Sequence, residues 1–230
     1  MLLSTIAAVA QNETGKFSIK PMAGLNISNF GSPSVDIYKK RFGFSGGAEI
    51  EYGVNPWLGL SLGIVYSQQG AKIEGGMFSL SRDENGYRIA QESQLKGKLK
   101  CSYLNLPLMA GIYIPAIKGL ALKAGLQVGI LTADKSELSV LTIVQKELPT
   151  NTLISGDISD VCKMYEENTT QTGVCKNLDF GIPVGLSYEF RNVSLNASYY
   201  FGMTKIDKTD DPDNSRNRYL SITLGYRFHL

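Results

Sequence analysis

The stretch LDFGIPVGLSYEF, Leu178–Phe190, alternates without a slip. Leu178, Phe180, Ile182, Val184, Leu186, Tyr188 and Phe190 fall on one side, and Asp179, Gly181, Pro183, Gly185, Ser187 and Glu189 on the other. A period of two is that of a β-strand with one apolar face. Leu120–Ile130 reads the same way, with Leu120, Leu122, Ala124, Leu126, Val128 and Ile130 opposed by Lys123, Gly125, Gln127 and Gly129. So does the end of the chain, where Leu220, Ile222, Leu224, Tyr226 and Phe228 alternate with Ser221, Thr223, Gly225 and Arg227.

Working outward, this pattern predicts eight strands, near 17–28, 42–52, 57–69, 98–114, 119–131, 177–190, 192–203 and 217–228. Most hold the roughly 9–11 residues that a tilted strand needs to cross a bilayer. The connections alternate in length. Gly53–Pro56, Pro115–Lys118 and the step at Arg191 are short, whereas 29–41, 70–97, 132–176 and 204–216 are long and polar. In an up-and-down meander all tight turns then lie at one end, with both chain termini, and all long loops at the other. The expected fold is an all-β, eight-stranded antiparallel transmembrane β-barrel with short periplasmic turns and long external loops. No helical period, repeat or change of composition marks a second domain.

A soluble barrel of equal strand number would turn its apolar face inward. Gly59, Ser61 and Gly63, or Gly125, Gln127 and Gly129, suit a crowded lumen better than a solvated sheet surface. The apolar face is graded as well. Phe17, Tyr52, Tyr188, Phe190, Tyr226 and Phe228 fall near the turn end, and Phe42, Phe44, Tyr66, Phe180 and Phe201 near the loop end. Aliphatics such as Leu62, Leu106, Leu126, Val184 and Leu224 lie between them, an order that two membrane interfaces select. β-Propensity alone also favours aromatics in strands.

Composition narrows the function classes. A formal net charge of +2 over 230 residues gives no general attraction to nucleic acid. A mean hydropathy near zero argues against a bundle of membrane helices but not against a barrel. At the start, Leu2–Ala10 is apolar or small, and Ala8-Val9-Ala10 before Gln11 fits a signal-peptidase site, although no Lys or Arg precedes it. Residues 1–10 are therefore expected to be a signal-peptide remnant, the alternative being a plain tail, and 11–230 a single outer-membrane β-barrel domain.

The segments AGLNISNF (Ala23–Phe30), GFSGGAEIEYGVNPWLGLSLGIVYSQQGAKIE (Gly43–Glu74), YLNLPLMAGIYI (Tyr103–Ile114), DFGIPVGLSYEF (Asp179–Phe190) and RNRYLSITLGYRF (Arg216–Phe228) resemble the PorT-like, porin-family small outer-membrane β-barrel proteins of Gram-negative bacteria. The resemblance implies an integral outer-membrane protein in contact with outer-membrane lipid. It carries over no catalytic residue, and a few relatives take part in protein secretion. The closing alternation through Phe228 is similar to the C-terminal signal read by barrel-insertion machinery, extended here by His229 and Leu230.

Chemistry finds little purchase. His229 is the single histidine and falls at the periplasmic rim, so a Ser–His–Asp arrangement lacks its base. No enzyme, cofactor or metal is expected. Asp207, Asp210, Asp211 and Asp213 lack the glycine and terminal glutamate of a calcium loop and read as a solvated acidic loop. Cys162 and Cys175 share the longest external loop and are candidates for a disulfide, with Cys101 able to compete. Parity and strand direction put Lys20, Glu49, Glu51, Lys123, Glu189 and Arg227 in the lumen near the turn end. These three positive and three negative charges are expected to form a closing network, the alternative being charges wetted by periplasmic water. The expected function is non-enzymatic: binding through external loops, or a structural role at the cell surface, with an occluded lumen and an unspecified ligand or protein partner. A narrow pore for small solutes and an accessory part in secretion are the alternatives.

Overall fold

A computed structural model describes residues 14–31, 37–82, 88–146, 162–206, 208 and 215–230. The signal-peptide expectation for residues 1–10 and the acidic positions Asp207, Asp210, Asp211 and Asp213 lie outside the described residues. The strands are β1 (Phe17–Gly31), β2 (Tyr38–Lys39), β3 (Arg41–Asn55), β4 (Leu58–Arg82), β5 (Arg88–Tyr113), β6 (Leu120–Lys146), β7 (Cys162–Gln171), β8 (Leu178–Phe190), β9 (Val193–Lys205), β10 (Arg216–Tyr226) and β11 (Phe228–His229).

Eight of them close a ring in the order β1, β3, β4, β5, β6, β8, β9, β10, every pairing antiparallel. β10 returns to β1 through a register from Met22↔Gly225 to Gly31↔Arg216, so the ring has no free edge. β11 extends that seam, pairing Ser18 with His229. β2 adds to β4 and β7 to β6, both outside the ring.

The tight turns have local causes. Asn55 Oδ1 accepts the Trp57 and Leu58 amide hydrogens at 3.0 and 2.8 Å, holding the β3–β4 turn. Gly119, at φ 85°, makes the turn into β6, where a Cβ would meet the Glu189 carbonyl oxygen at 2.0 Å.

The ring is apolar outside and polar inside. Leu126 and Leu224 are 64% and 61% exposed, whereas Gln127 and Thr223 beside them are buried. Both aromatic sets are on the outer surface, with Phe17, Tyr52, Phe190 and Phe228 at the turn end and Phe42, Phe44, Phe180 and Phe201 at the other. This is the surface of a barrel solvated by lipid.

The structure alters the expectation for the long connections. Segments 70–97 and 132–176 are largely strand rather than loop: β4 runs to Arg82, β5 starts at Arg88, and β6 runs to Lys146. The β4–β5 pairing continues unbroken in register to Arg82↔Arg88, and β7 adds a further strand on β6. About a dozen residues of β4 past Gly70 correspond to roughly 40 Å of strand beyond the ring. These segments do not alternate strictly, since the adjacent Met77 and Phe78, on opposite faces of β4, are both exposed, as are Met164 and Tyr165 on β7. Their backbone groups still need partners, and the neighbouring strand supplies them.

Candidate functional site

Four layers occupy the axis of the molecule from the turn end outward. The lowest holds charge. Lys20 on β1, Glu49 and Glu51 on β3, Lys123 on β6, Glu189 on β8 and Arg227 after β10 are all buried within the ring. The structure brings all six together. Lys123 Nζ lies 2.6 Å from Glu49 Oε1 and 3.1 Å from Glu51 Oε2. Arg227 Nη1 donates to Glu51 Oε1 at 3.1 Å, and its Nε donates to Glu189 Oε2 at 2.7 Å. Lys20 Nζ is 2.6 Å from Glu49 Oε1, an ion pair without hydrogen-bond alignment.

Sequence reasoning missed two members of this layer. Tyr113 donates its hydroxyl to Glu51 and accepts Arg227 Nη2 at 2.9 Å, while Ser18 Oγ accepts Arg227 Nη1 at 2.9 Å. Parity held the signal for both, since Tyr113 is an aromatic on the inward face of β5 at the turn end. Arg227 uses all three guanidinium nitrogens here, which a lysine could not do.

Above this floor is a cavity of about 90 Å³, with Glu49 and Lys123 below and Asn26, Ser67, Asn105 and Tyr219 above. The third layer is polar but largely uncharged. Gln127 Nε2 and Asn105 Nδ2 both donate to the Tyr219 hydroxyl, at 2.8 and 3.3 Å. Asn217 Nδ2 donates to Gln69 and, at 3.2 Å, to Asp179 Oδ2, whose other oxygen accepts Thr204 Oγ1 at 2.6 Å. Tyr200 stacks on Tyr219 at 4.8 Å between ring centroids.

The outermost layer is apolar. Phe30, Ala71, Cys101, Tyr103, Cys175 and Ile206 form one buried cluster across the mouth. Here the cysteine expectation needs correction. Cys175 Sγ is 2.7 Å from Cys101 Sγ, not beside Cys162. Cys162 is exposed and pairs with Gln145 at the far end of the β6–β7 ladder, nine positions beyond the Ser136↔Gln171 pair. That is roughly 30 Å of strand. Short separation in sequence misled because the intervening residues run out in β7 rather than folding back.

Outside the ring, the projecting sheet has a groove of about 410 Å³ on its outward face. Lys72, Lys96 and Lys98 line it together with Glu137, Asn168 and Thr170. The register explains the grouping, because Lys98 is opposite both Lys72 on β4 and Glu137 on β6. A register shift between Ser102 and Tyr103 turns Lys135 and Glu137 to this face. Glu137 is held at a pKa of about 2, first by its hydrogen bond from Lys135 and then by that from Lys100. Its single negative charge is shared by those two lysines and offsets one of them, so the excess over Glu137 adds to Lys72, Lys96 and Lys98, which face Glu74.

Among the described residues no group of three or more His, Cys, Asp or Glu side chains could hold a metal ion. No helix of the described residues is long and apolar enough to cross a membrane, which says nothing of crossing by strands.

A closed, lipid-facing antiparallel ring with a polar, filled interior defines a small outer-membrane barrel. Residues 9–208 match the family described as the outer membrane protein beta-barrel domain, and the chain belongs to that family. It is an integral protein of the outer membrane. Among solved structures, the attachment invasion locus protein Ail of Yersinia pestis, crystallised with the heparin analogue sucrose octasulfate, is 18% identical over 94% of this chain and 100% of its own, with a TM-score of 0.43. Neisserial surface protein A is 15% identical over 92% of this chain and 97% of its own, with a TM-score of 0.38. OprG of Pseudomonas aeruginosa is 12% identical over 96% and 100%, with a TM-score of 0.37. No curated protein matches the chain in sequence.

Proposed function

We propose that this protein is a non-enzymatic, non-conducting barrel that works through its projecting sheet, binding phosphate-bearing headgroups of outer-leaflet glycolipids. The observation that carries this reading is the groove of Lys72, Lys96 and Lys98. It lies on the same outward face as the lipid-contacting residues, farther along β4 and β5 than Tyr66 and Leu104. Headgroup phosphates lie just beyond the interfacial aromatics, so a cationic concavity there meets anions without leaving the bilayer surface. Its volume suits a headgroup, and Asn168 and Thr170 supply the neutral hydrogen-bonding groups that sugars use.

The layered lumen argues against the alternative of a diffusion pore. A charged floor, a small cavity and an apolar roof leave no continuous water path through a ring of eight strands. Lumenal charge in this reading serves closure.

Two measurements test the two halves of the proposal. In planar bilayers the wild type is expected to show no steady conductance; steady porin-sized currents would overturn closure. In nanodiscs of phosphatidylcholine doped with lipid A, native mass spectrometry is expected to find lipid A retained. The triple variant Lys72→Gln/Lys96→Gln/Lys98→Gln should lose most of that retention. Equal retention by both proteins would defeat the headgroup reading. Retention of soluble polyphosphate but not lipid A would move the ligand off the membrane and defeat it too.

A further inference from the structure

We infer that Cys101 and Cys175 form a disulfide that staples the β7–β8 connector across the outer mouth, leaving Cys162 as an exposed free thiol. The two sulfur atoms are 2.7 Å apart, and the residues that carry them, 74 positions distant in sequence, are 1% and 0% exposed. Nothing else in the apolar cluster around them uses a thiol. Phe30, Ala71 and Ile206 offer neither a metal-binding group nor a base, and Tyr103 adds only a phenol.

The connector is delivered to this position by other bonds, so the meeting of the thiols does not depend on their own reaction. Asp134 Oδ2 accepts the Cys175 amide hydrogen, and Oδ1 that of Gly173, each at 2.9 Å. On the other side the Lys176 amide donates to the Ile206 carbonyl at 2.7 Å, and the Leu131 amide to the Asn177 carbonyl at 2.8 Å. Gly173, at φ 76°, makes the bend that turns the chain inward. Four hydrogen bonds, three to β6 and one to Ile206 just past β9, thus aim Cys175 at a side chain of β5.

The chemistry balances with a reactant of the compartment. An outer-membrane protein passes through the periplasm, where disulfides of dithiol oxidases are available. Cys101 and Cys175 give up two protons and two electrons as their S–S bond forms. The oxidase disulfide breaks and takes both up as two thiols. Exchange has to precede closure of the mouth, because the folded cluster excludes a protein-sized reagent. Cys162, on an exposed strand at the far end of its ladder, has no neighbouring thiol among the described residues.

With this staple the lumen is sealed twice, by ions at the periplasmic end and by a covalent cap at the outer end. The cap also fixes the root of β7, which carries one wall of the lysine groove.

The test is a thiol count on the full protein from membranes, alkylated in denaturant without reductant. One of the three cysteines, Cys162, should take the label, rising to three after reduction. Digestion should yield a Cys101 peptide joined to a Cys175 peptide. In Cys162→Ala the joined peptides should persist with no labelled thiol, and in Cys175→Ser Cys101 should become labelled. Three labelled thiols before reduction, or any bridge to Cys162, would overturn the inference. Because counting is done in denaturant, a variant that folds poorly still gives an answer.

Discussion

Strand β5 passes through two solvents, and its faces exchange character between them. Within the ring, Leu104, Leu108 and Ile112 face outward while Asn105, Met109 and Tyr113 face the lumen. Beyond Ser102 the outward positions are Lys100, Lys98 and Lys96, and the inward ones Leu99 and Leu95. The pairing with β4 does not shift across this change, as Leu104↔Tyr66 and Lys98↔Lys72 belong to one register. The pairing of β5 with β4 is therefore common to both regions, while on the β6 side a register shift at Ser102/Tyr103 separates them. The surrounding medium decides which residues each face of β5 carries. Lipid demands apolar side chains outside and full hydrogen bonding within, whereas water accepts lysine outside.

The comparison breaks most sharply at the lumen floor. Arg227→Met would strand Glu189 in a closed interior and take one partner from Glu51, which keeps Lys123 and Tyr113. Removing one partner of a buried ion pair costs about 3–5 kcal/mol. Urea unfolding in vesicles should register that loss. Near-wild-type stability would mean that water reaches the floor and that the ring is not sealed there.

Next in size is a paired substitution on the outward face. Leu126→Arg, facing lipid, should cost roughly 2–4 kcal/mol. Gln94→Arg, facing outward on the projecting part of β5, should stay within about 0.5 kcal/mol, as exposed substitutions do. Equal costs at the two sites would erase the distinction between the solvents.

A smaller effect concerns the connector that carries Cys175. Burial raises the Asp134 pKa, but hydrogen bonds from the backbone of Cys175 and Gly173 outweigh it and hold the carboxyl below its ordinary value. A depressed carboxylate contributes fully above its unfolded-state value and loses the contribution as pH falls through the lowered native value. Amide-exchange protection of residues 172–177 should thus hold at neutral pH and decay only in acid. Asp134→Asn should remove that acid step and weaken the local structure by about 1–2 kcal/mol. A transition near neutral pH would point to another group.

The smallest effect is at Glu137. Glu137→Gln frees Lys100 and Lys135 from their shared carboxylate, so lipid A retention in nanodiscs should rise while barrel unfolding is unchanged. Lower retention would show that Glu137 orders the groove rather than neutralising it.

How much was legible in the sequence differs between the same two regions. In the ring, lipid outside and crowding inside impose opposite demands on successive residues, and LDFGIPVGLSYEF records them directly. The eight ring strands, the tight turns at one end and the inward parity of Lys20, Glu49, Glu51, Lys123, Glu189 and Arg227 could be read from that constraint. Past Gly70 and Leu131 both faces meet water or each other, the contrast fades, and strands read as loops.

Linear pattern alone thus determined which residues share a face, because side-chain alternation is a property of the single strand. Only the tertiary structure decided which faces meet. Tyr113 joining Glu51 and Arg227, Lys98 standing between Lys72 and Glu137, and Cys175 reaching Cys101 rather than Cys162 all depend on inter-strand register and on the path of the connectors. Register is a relation between chain segments, set by turns, bulges and ring closure together, and no single segment encodes it.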